Sequence, residues 1–356
     1  MLSFNEIFAD STKHCKKIKT DEYHETGKNM IVDQGQSEIA GYTDLEEGLF
    51  SDVPAIIFGD HTRIIKYVDK PFFIGADGVK VLKSKLEKAN YRYLYYALKN
   101  VKIPNTGYNR HFKWLKETIF NYPNSDRQQE IVLILDKLQS IITHLRTQLE
   151  KLDLLVKSRF VEMFGNIENM CTIADVCSII TDGTHQPPKF TTDGIPFLFV
   201  SNIATNEIVY NAEKFISEET YNDLYKRTPI EIGDIILSTV GSYGHPAIVK
   251  TNKKFLFQRH IAYLKPIPTT INSIYLHRAI LSDNVQRQID ERVKGIAQKT
   301  LNLSEIRKIV IPAPPLELQT QFANFVKQVD QSKSILQQEL TQTQTLFNSL
   351  MQEYFG

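Results

Sequence analysis

The sequence predicts an α+β protein. Two tandem domains are each followed by a long α-helix, and the two helices pair as an antiparallel coiled coil with pseudo-two-fold symmetry. Three observations predict this: an ordered internal repeat, two heptad stripes, and short β-like segments bounded by Gly, Asp and Pro. The repeat is clearest at the two tails, SRFVEMFG at Ser158–Gly165 and SLMQEYFG at Ser349–Gly356, which are 191 positions apart. The same shift aligns Gln128 with Gln319, Leu145 with Leu336, Pro123 with Pro314 and Leu115 with Ile306. Upstream the shift falls to 182 for YLYYAL (Tyr93–Leu98) on YLHRAI (Tyr275–Ile280). It is 179 for AIIF (Ala55–Phe58) on DIIL (Asp234–Leu237), and 169 for FNEIF (Phe4–Phe8) on IADVC (Ile173–Cys177). Matched blocks separated by unequal insertions are what two copies of one fold show once their loops diverge.

Each repeat ends in a helical stripe. Between Ser125 and Met163, Ile131, Leu135, Leu138, Ile142, Leu145, Leu149, Leu152 and Val156 alternate steps of four and three, a coiled-coil seam. Pro123 and Asn124-Ser125-Asp126 supply the start signal, and Gly165 the exit. At 1.5 Å per residue this rod is roughly 58 Å long. The second rod, Leu316–Tyr354, repeats the seam with Phe322, Val326, Val329, Leu336, Leu340, Phe347 and Leu350, interrupted by Lys333 and Thr343. Neither stripe can bury itself alone, so the rods are expected to pack on each other.

The domains between the rods carry Ile56–Phe58, Phe72–Ile74, Ile235–Leu237 and Phe255–Phe257 as strands. Tyr91–Asn100 and Ser273–Gln288 read as helical, and together these predict an α+β domain with a strongly bent sheet. The boundaries are 1–122 for the first domain, 123–165 for its helix, 166–312 for the second domain and 313–356 for the last helix.

Composition narrows the class. With 356 residues, 42% hydrophobic and 23% charged, the chain can bury full cores. The longest apolar run, Ile131–Leu135, is far short of a membrane span, and the opening MLSFNEIFADSTKH lacks the layout of a secretion signal. Three cysteines without a CxxC point to a reducing cytoplasm and away from zinc. No GxxxxGK[ST] loop and no HExxH exist, and neither Pro-Pro pair (Pro187-Pro188, Pro314-Pro315) forms the Asn/Asp-Pro-Pro-aromatic motif of an adenine methyltransferase. No catalytic, cofactor-binding or metal-binding residue is expected in this chain.

The net charge of +1 hides a local asymmetry. Lys80–Lys116 holds ten basic residues against the single acid Glu87, interleaved with tyrosines, Phe112 and Trp114. Lys250–Lys265 holds five and no acid. Basic and aromatic side chains together suit a phosphate backbone, and the alternative is a solvated face with tyrosines in the core. Reading sequence then needs side chains that fork onto base edges, on loops that approach a groove closely. In the first half the candidates are His61 and Arg63 of Gly59–Arg63, Tyr108, Asn109 and Arg110 of Thr106–Arg110, and Lys113. In the second half they are Thr184 and His185 of the DGTH loop, Ser242, Tyr243, Gln258, Arg259, His260 and Lys299.

The second half resembles the target recognition domains of type I restriction-modification specificity subunits, the HsdS family. The resemblance rests on TDGTHQPPKF (Thr181–Phe190), GIPFLFVSNI (Gly194–Ile203), IEIGDIILSTVGSYGHPAIV (Ile230–Val249), QRHIAYLKP (Gln258–Pro266) and the junction LSEIRKIVIPAPPLELQTQF (Leu303–Phe322). The first half has NYPNSDRQQEI (Asn121–Ile131) where that family shows Pro-Pro-Leu, and it lacks the DGTH loop. The resemblance implies two target recognition domains, each reading one half of a bipartite double-stranded DNA site, with the rods as spacers. It implies docking of two methyltransferase (modification) subunits on the rods and, through them, restriction/translocase subunits. S-adenosylmethionine, ATP and Mg would then reside on those partners, with none on this chain and no membrane involved. Two alternatives stay open on the sequence: a non-catalytic coiled-coil scaffold of a related defence complex without sequence reading, and a stand-alone DNA-modifying enzyme.

Overall fold

The computed structural model describes residues 1–75, 77–107, 109–295 and 299–356. The chain folds into two compact units, Met1–Arg146 with Gln338–Gly356, and Thr147–Gln337. Two 40-residue helices, Ser125–Phe164 and Leu316–Phe355, each contribute to both units.

The strands of the first unit are β1 (Leu2–Ser3), β2 (Phe8–Asp10), β3 (Lys17–Ile18), β4 (Asn29–Val32), β5 (Gly41–Thr43), β6 (Ala55–Gly59), β7 (Ile65–Val68), β8 (Phe72–Gly75), β9 (Val79–Ser84) and β10 (Ile119–Phe120). They form an antiparallel sheet β2-β9-β6-β7, a mixed sheet β3-β8-β4-β5 and a ribbon β1-β10. The second unit has β11 (Met170–Thr172), β12 (Cys177–Asp182), β13 (Ile195–Leu198), β14 (Lys214–Ile216), β15 (Ile235–Ser238), β16 (Pro246–Ile248), β17 (Leu256–Phe257), β18 (Ile261–Pro266) and β19 (Val310–Pro312). Its sheets are β12-β18-β15-β16, β14-β13-β17 and β11-β19, the same orders with one strand fewer. Where β3 pairs parallel to β8 in the first unit, the second has only the parallel bridge Thr184–Gln258. The single bent sheet expected from the sequence is instead several small sheets per unit.

Internal bonds show the duplication as clearly as the strand order. Ser3 with Glu6, and Thr172 with Asp175, form capping boxes on the short helices Phe4–Ile7 and Ile173–Val176. Tyr93 and Tyr275, both fully buried on equivalent helices, donate their hydroxyls to the carbonyls of Asn121 and Pro312, each at 2.8 Å. Gln128 and Gln319, buried in the first turn of each long helix, donate to the carbonyls of Pro123 (2.8 Å) and Pro314 (2.9 Å). A hydrophobic stripe predicts which face is buried; these polar bonds fix where each helix starts.

Both long helices lie on their unit's sheets and on each other. In the first unit Ile131, Leu135 and Ile142 share a core with Phe347, Met351 and the sheet residues Ile56, Phe58 and Leu82. In the second, Phe160 and Phe164 pack edge-on against Phe322, beside Tyr275. There the helices run antiparallel: Asp153 meets Lys333, and seven residues on Phe160 meets Phe322. The two interruptions of the second seam are satisfied. Lys333 pairs with Asp153 at 2.6 Å, and the Thr343 hydroxyl donates to the Glu339 carbonyl at 2.8 Å.

One helix departs from its sequence reading. Ser273–Gln288 is not continuous: it breaks into Ser273–Ile280 and Asp283–Arg292. Ser282 adopts extended backbone and its hydroxyl caps Val285, so a serine-aspartate N-cap overrides an apolar periodicity that runs on through it. Among the described residues no helix is long and apolar enough to cross a membrane.

Candidate nucleic-acid interface

In both units a turn at the end of the central strand of the antiparallel sheet is latched to two other loops by backbone hydrogen bonds. In the second unit, just past β15, Thr239 N–H donates to the His260 carbonyl (2.9 Å) and the Thr239 carbonyl accepts from Leu301 N–H (2.8 Å). In the first, just past β6, Asp60 N–H donates to the Gly78 carbonyl (2.7 Å) and its carbonyl accepts from His111 N–H (2.8 Å). The turns differ by 179 positions, and their partners by 182 (Gly78 and His260) and 190 (His111 and Leu301), in line with the offsets of the repeat. Asn109 and Lys299 each stand two residues before the latch, so the sequence candidates fall on matching places.

The DGTH loop joins this assembly in the second unit. Thr184 N–H donates to the Phe257 carbonyl (2.9 Å), Arg259 N–H to the Thr184 carbonyl (3.1 Å) and Gly183 N–H to the Ile261 carbonyl (3.1 Å). The two backbones come so close that a Cβ on Gly183 would lie 2.2 Å from the Phe257 oxygen and 2.5 Å from that of Gln258. No other residue fits there without moving one backbone. Gly241 N–H donates to the Lys299 carbonyl at 3.2 Å, which brings the Ser242–Tyr243 turn and Lys299 into the same cluster.

Side chains on this frame are partly pre-oriented. The Asp182 carboxylate accepts from His185 Nε2 (2.9 and 3.0 Å) and from an Arg227 guanidinium nitrogen at 2.7 Å. Arg259 is exposed and its Nε donates to His260 Nε2 at 3.4 Å. Partial burial, and then the Arg259 charge, push the His260 pKa below its ordinary value, which keeps the ring neutral and an acceptor. The Tyr243 hydroxyl donates to Asp290 at 3.0 Å, with the Lys299 ammonium 6.0 Å from its ring centre. Ser242 is exposed, and Gln258 and Thr184 are half-buried.

In the first unit the structure disperses some candidates. Tyr108 lies outside the described residues. Asn109 and Arg110 are exposed, and the Asn109 amide donates back to the Thr106 carbonyl. Lys113 is exposed with its ammonium 4.9 Å from the Trp114 ring. Arg63, at a left-handed φ of 63°, turns inward to the Ile103 carbonyl (3.4 Å), and His61 is half-buried beside it. The organiser here is a pair that sequence reading missed. Buried Asp60 also accepts from Phe112 N–H at 2.7 Å, and fully buried His111 faces the Asp60 carbonyl with Nδ1 at 2.9 Å. A nitrogen facing a carbonyl carries the proton, so Nε2 accepts from the Thr106 hydroxyl at 3.3 Å.

The basic stretches are less basic in the fold than along the chain. Lys80, Lys83 and Arg92 pair with Asp10, Asp52 and Asp136. Lys250, Lys254 and Lys265 pair with Glu207, Glu218 and Glu231. Tyr93 and Tyr96 are core residues. Among the described residues, Arg110, Lys113, Arg259 and Lys299 are exposed and outside these ion pairs. Sequence counting missed the acids because they stand about 30 to 70 positions away. Among the described residues no group of three His, Cys, Asp or Glu side chains could hold a metal ion.

A duplicated α+β fold, with long helices after each copy and a loop cluster on each, defines a class that comparison identifies. The chain belongs to the family described as Type I restriction modification DNA specificity domain, whose profile matches residues 4–153 and 168–344. It is 29% identical over 171 residues to the type I restriction enzyme EcoBI specificity subunit of Escherichia coli, covering 48% of this chain and 36% of that one. It is 22% identical over 315 residues to the type I restriction enzyme MjaVIII specificity subunit of Methanocaldococcus jannaschii, covering 78% and 74%. The chain thus spans little more than a third of the length of the E. coli relative. The crystal structure of a type I restriction-modification system S subunit from M. genitalium superposes with a TM-score of 0.62 at 16% identity, over 99% of this chain and 95% of that one, and so shares the fold.

Proposed function

We propose that the chain is the DNA sequence-specificity subunit of a type I restriction-modification complex, acting in the cytoplasm. Residues 1–122 and 166–312 are the two reading domains, and 123–165 and 313–356 are the spacers between the half-sites of a bipartite duplex. Two methyltransferase subunits dock on the spacers and recruit restriction/translocase subunits. The chain itself is non-catalytic, and S-adenosylmethionine, ATP and Mg belong to the partners. The observation that carries this reading is the latched loop cluster present in both units, with exposed Arg, Lys, Asn and His side chains on a backbone fixed by its neighbours. Such loops lose little freedom on binding, which favours discrimination over bulk attraction.

The candidate base-edge and phosphate contacts are His61, Arg63, Tyr108, Asn109, Arg110 and Lys113 in one domain. In the other they are Thr184, His185, Ser242, Tyr243, Gln258, Arg259, His260 and Lys299. The test is selection from a random duplex library by the full chain assembled with methyltransferase subunits, followed by binding with either selected half scrambled. Scrambling either half is expected to lower affinity by about 10³-fold or more at physiological salt. Affinity unchanged by both scrambles would leave only a scaffold role.

A further inference from the structure

Asp182 holds two partners where an ordinary ion pair holds one. It ends β12 next to Gly183, the residue locked against β17, so its carboxylate has a fixed position. It is mostly buried, at 18% side-chain exposure, while the His185 and Arg227 that it holds are about half exposed, at 51% and 48%. Arg227 comes from a different part of the fold. It lies in the tight turn after the helix Glu218–Tyr225, with its N–H on the Leu224 carbonyl (3.1 Å) and the following Thr228 N–H on that of Tyr225 (3.0 Å). Between the 183–188 loop and this turn lies an open cleft of about 450 Å³, to which Thr184, His185 and Arg227 all contribute.

We propose that Arg227 is a specificity-determining residue that reads guanine in the second half-site, and that Asp182 is its positioning residue. This rests on the DNA-reading function proposed above. Only one guanidinium nitrogen is used on Asp182, which leaves the remaining donors of the fork for a pair of acceptors such as guanine O6 and N7. Anchoring one end of the fork by a fixed carboxylate removes side-chain freedom that binding would otherwise cost. Charge argues for a base edge over a phosphate. The Asp182–Arg227 pair is close to neutral, so it adds little to backbone attraction.

The test uses the full chain assembled with methyltransferase subunits and a random-sequence duplex library. Wild type is compared with Arg227→Gln and Asp182→Asn, with thermal unfolding checked for each. Arg227→Gln is expected to lose a guanine preference at one position of one half-site by about five- to hundredfold. Asp182→Asn, which keeps Arg227 but loosens it, is expected to relax the same position by a smaller factor. The other half-site and the salt dependence of binding stay as in wild type. If Asp182→Asn does not fold, Arg227→Gln decides alone, because glutamine can still bond Asp182. Uniform weakening across sequences with a shallower salt dependence would make Arg227 a phosphate contact and overturn the assignment, as would unchanged preferences. If wild type itself selects no bipartite sequence, the reading function falls, and this inference with it.

Discussion

Replacing Gln319 by leucine removes a buried polar junction while conserving volume. The amide is 2% exposed. Its oxygen accepts from Asn272 N–H at 2.9 Å; its nitrogen donates to the Pro314 carbonyl at 2.9 Å and more weakly to Thr270 at 3.4 Å. Asn272 in turn caps the helix that carries Tyr275. The leucine leaves the Asn272 N–H and the Pro314 carbonyl buried without partners, at about 1–3 kcal/mol each, offset in part by the apolar side chain. The expected loss is about 2–4 kcal/mol. Its repeat partner Gln128 makes one such side-chain bond, to the Pro123 carbonyl, so Gln128→Leu should cost only about 1–2 kcal/mol. Urea denaturation gives both losses. Peptide-resolved hydrogen exchange locates them, with faster exchange over 270–280 in the first variant and over 121–131 in the second. A Gln319→Leu cost below about 1 kcal/mol, or no greater than that of Gln128→Leu, would refute the reasoning.

Three further outcomes follow from the same structure. Gly183→Ala must part the DGTH loop from β17; it should cost roughly 2–3 kcal/mol in urea denaturation and abolish preference in one half-site of selected duplexes while sparing the other. Tyr93→Phe and Tyr275→Phe should cost nearly equal amounts, about 1–2 kcal/mol, because each removes the hydroxyl of a buried tyrosine from an equivalent carbonyl at the same distance; thermal or urea unfolding of the pair checks this. Burial, and then the charge of Arg278, hold the His277 pKa down to about 4, against 6.5 for a free side chain. Below pH 6.5 the unfolded chain takes up a proton that the folded one resists, so this group's contribution is full above pH 6.5, falls with pH and levels off below about 4. At pH 5 the loss is about 2 kcal/mol. His277→Gln, which can still donate to the Asn206 or Pro246 carbonyl, should flatten that slope between pH 6.5 and 4.

The scaffold was legible because its signals are local or periodic. Heptad steps gave Leu135, Ile142 and Val326 their buried face, and the offset of 191 paired Gln128 with Gln319 before any geometry was known. Ser282 was missed because periodicity outweighed a two-residue cap. The loop cluster was half legible. Glycine-bounded loops marked Thr184 and Ser242, since close backbone approach leaves a glycine in the sequence, and Gln258 was marked by its place just after a strand. The side-chain partnerships left no such mark. Asp182 meets Arg227 from 45 positions away, and Asp60 meets Phe112 from 52. Only folding reveals them.

Neutralised basic stretches and the latched loops bear on one question, how a reading surface can change without loss of fold. Lys80, Lys83, Lys250, Lys254 and Lys265, which looked like part of a DNA face, are committed to carboxylates on other segments, and Tyr93 and Tyr96 are core. The exposed Arg110, Arg259 and Lys299 lie on loops whose backbone is set elsewhere, by Gly183, Asp60, Thr239 and His111. The unequal offsets say the same from the sequence. Insertions accumulated between the matched blocks, while the Tyr–carbonyl and Gln–Pro bonds were kept in both copies. Side chains such as Asn109 and Lys299 differ at matching places on the latch, so each copy presents different side-chain chemistry on a shared frame. Under the proposed function, exchanging Lys299 for asparagine should change the preference of one half-site and leave unfolding unchanged, because Lys299 contributes to the latch through its backbone carbonyl, which any residue supplies. A large loss of stability in that variant would mean that the loop side chains hold the frame together themselves.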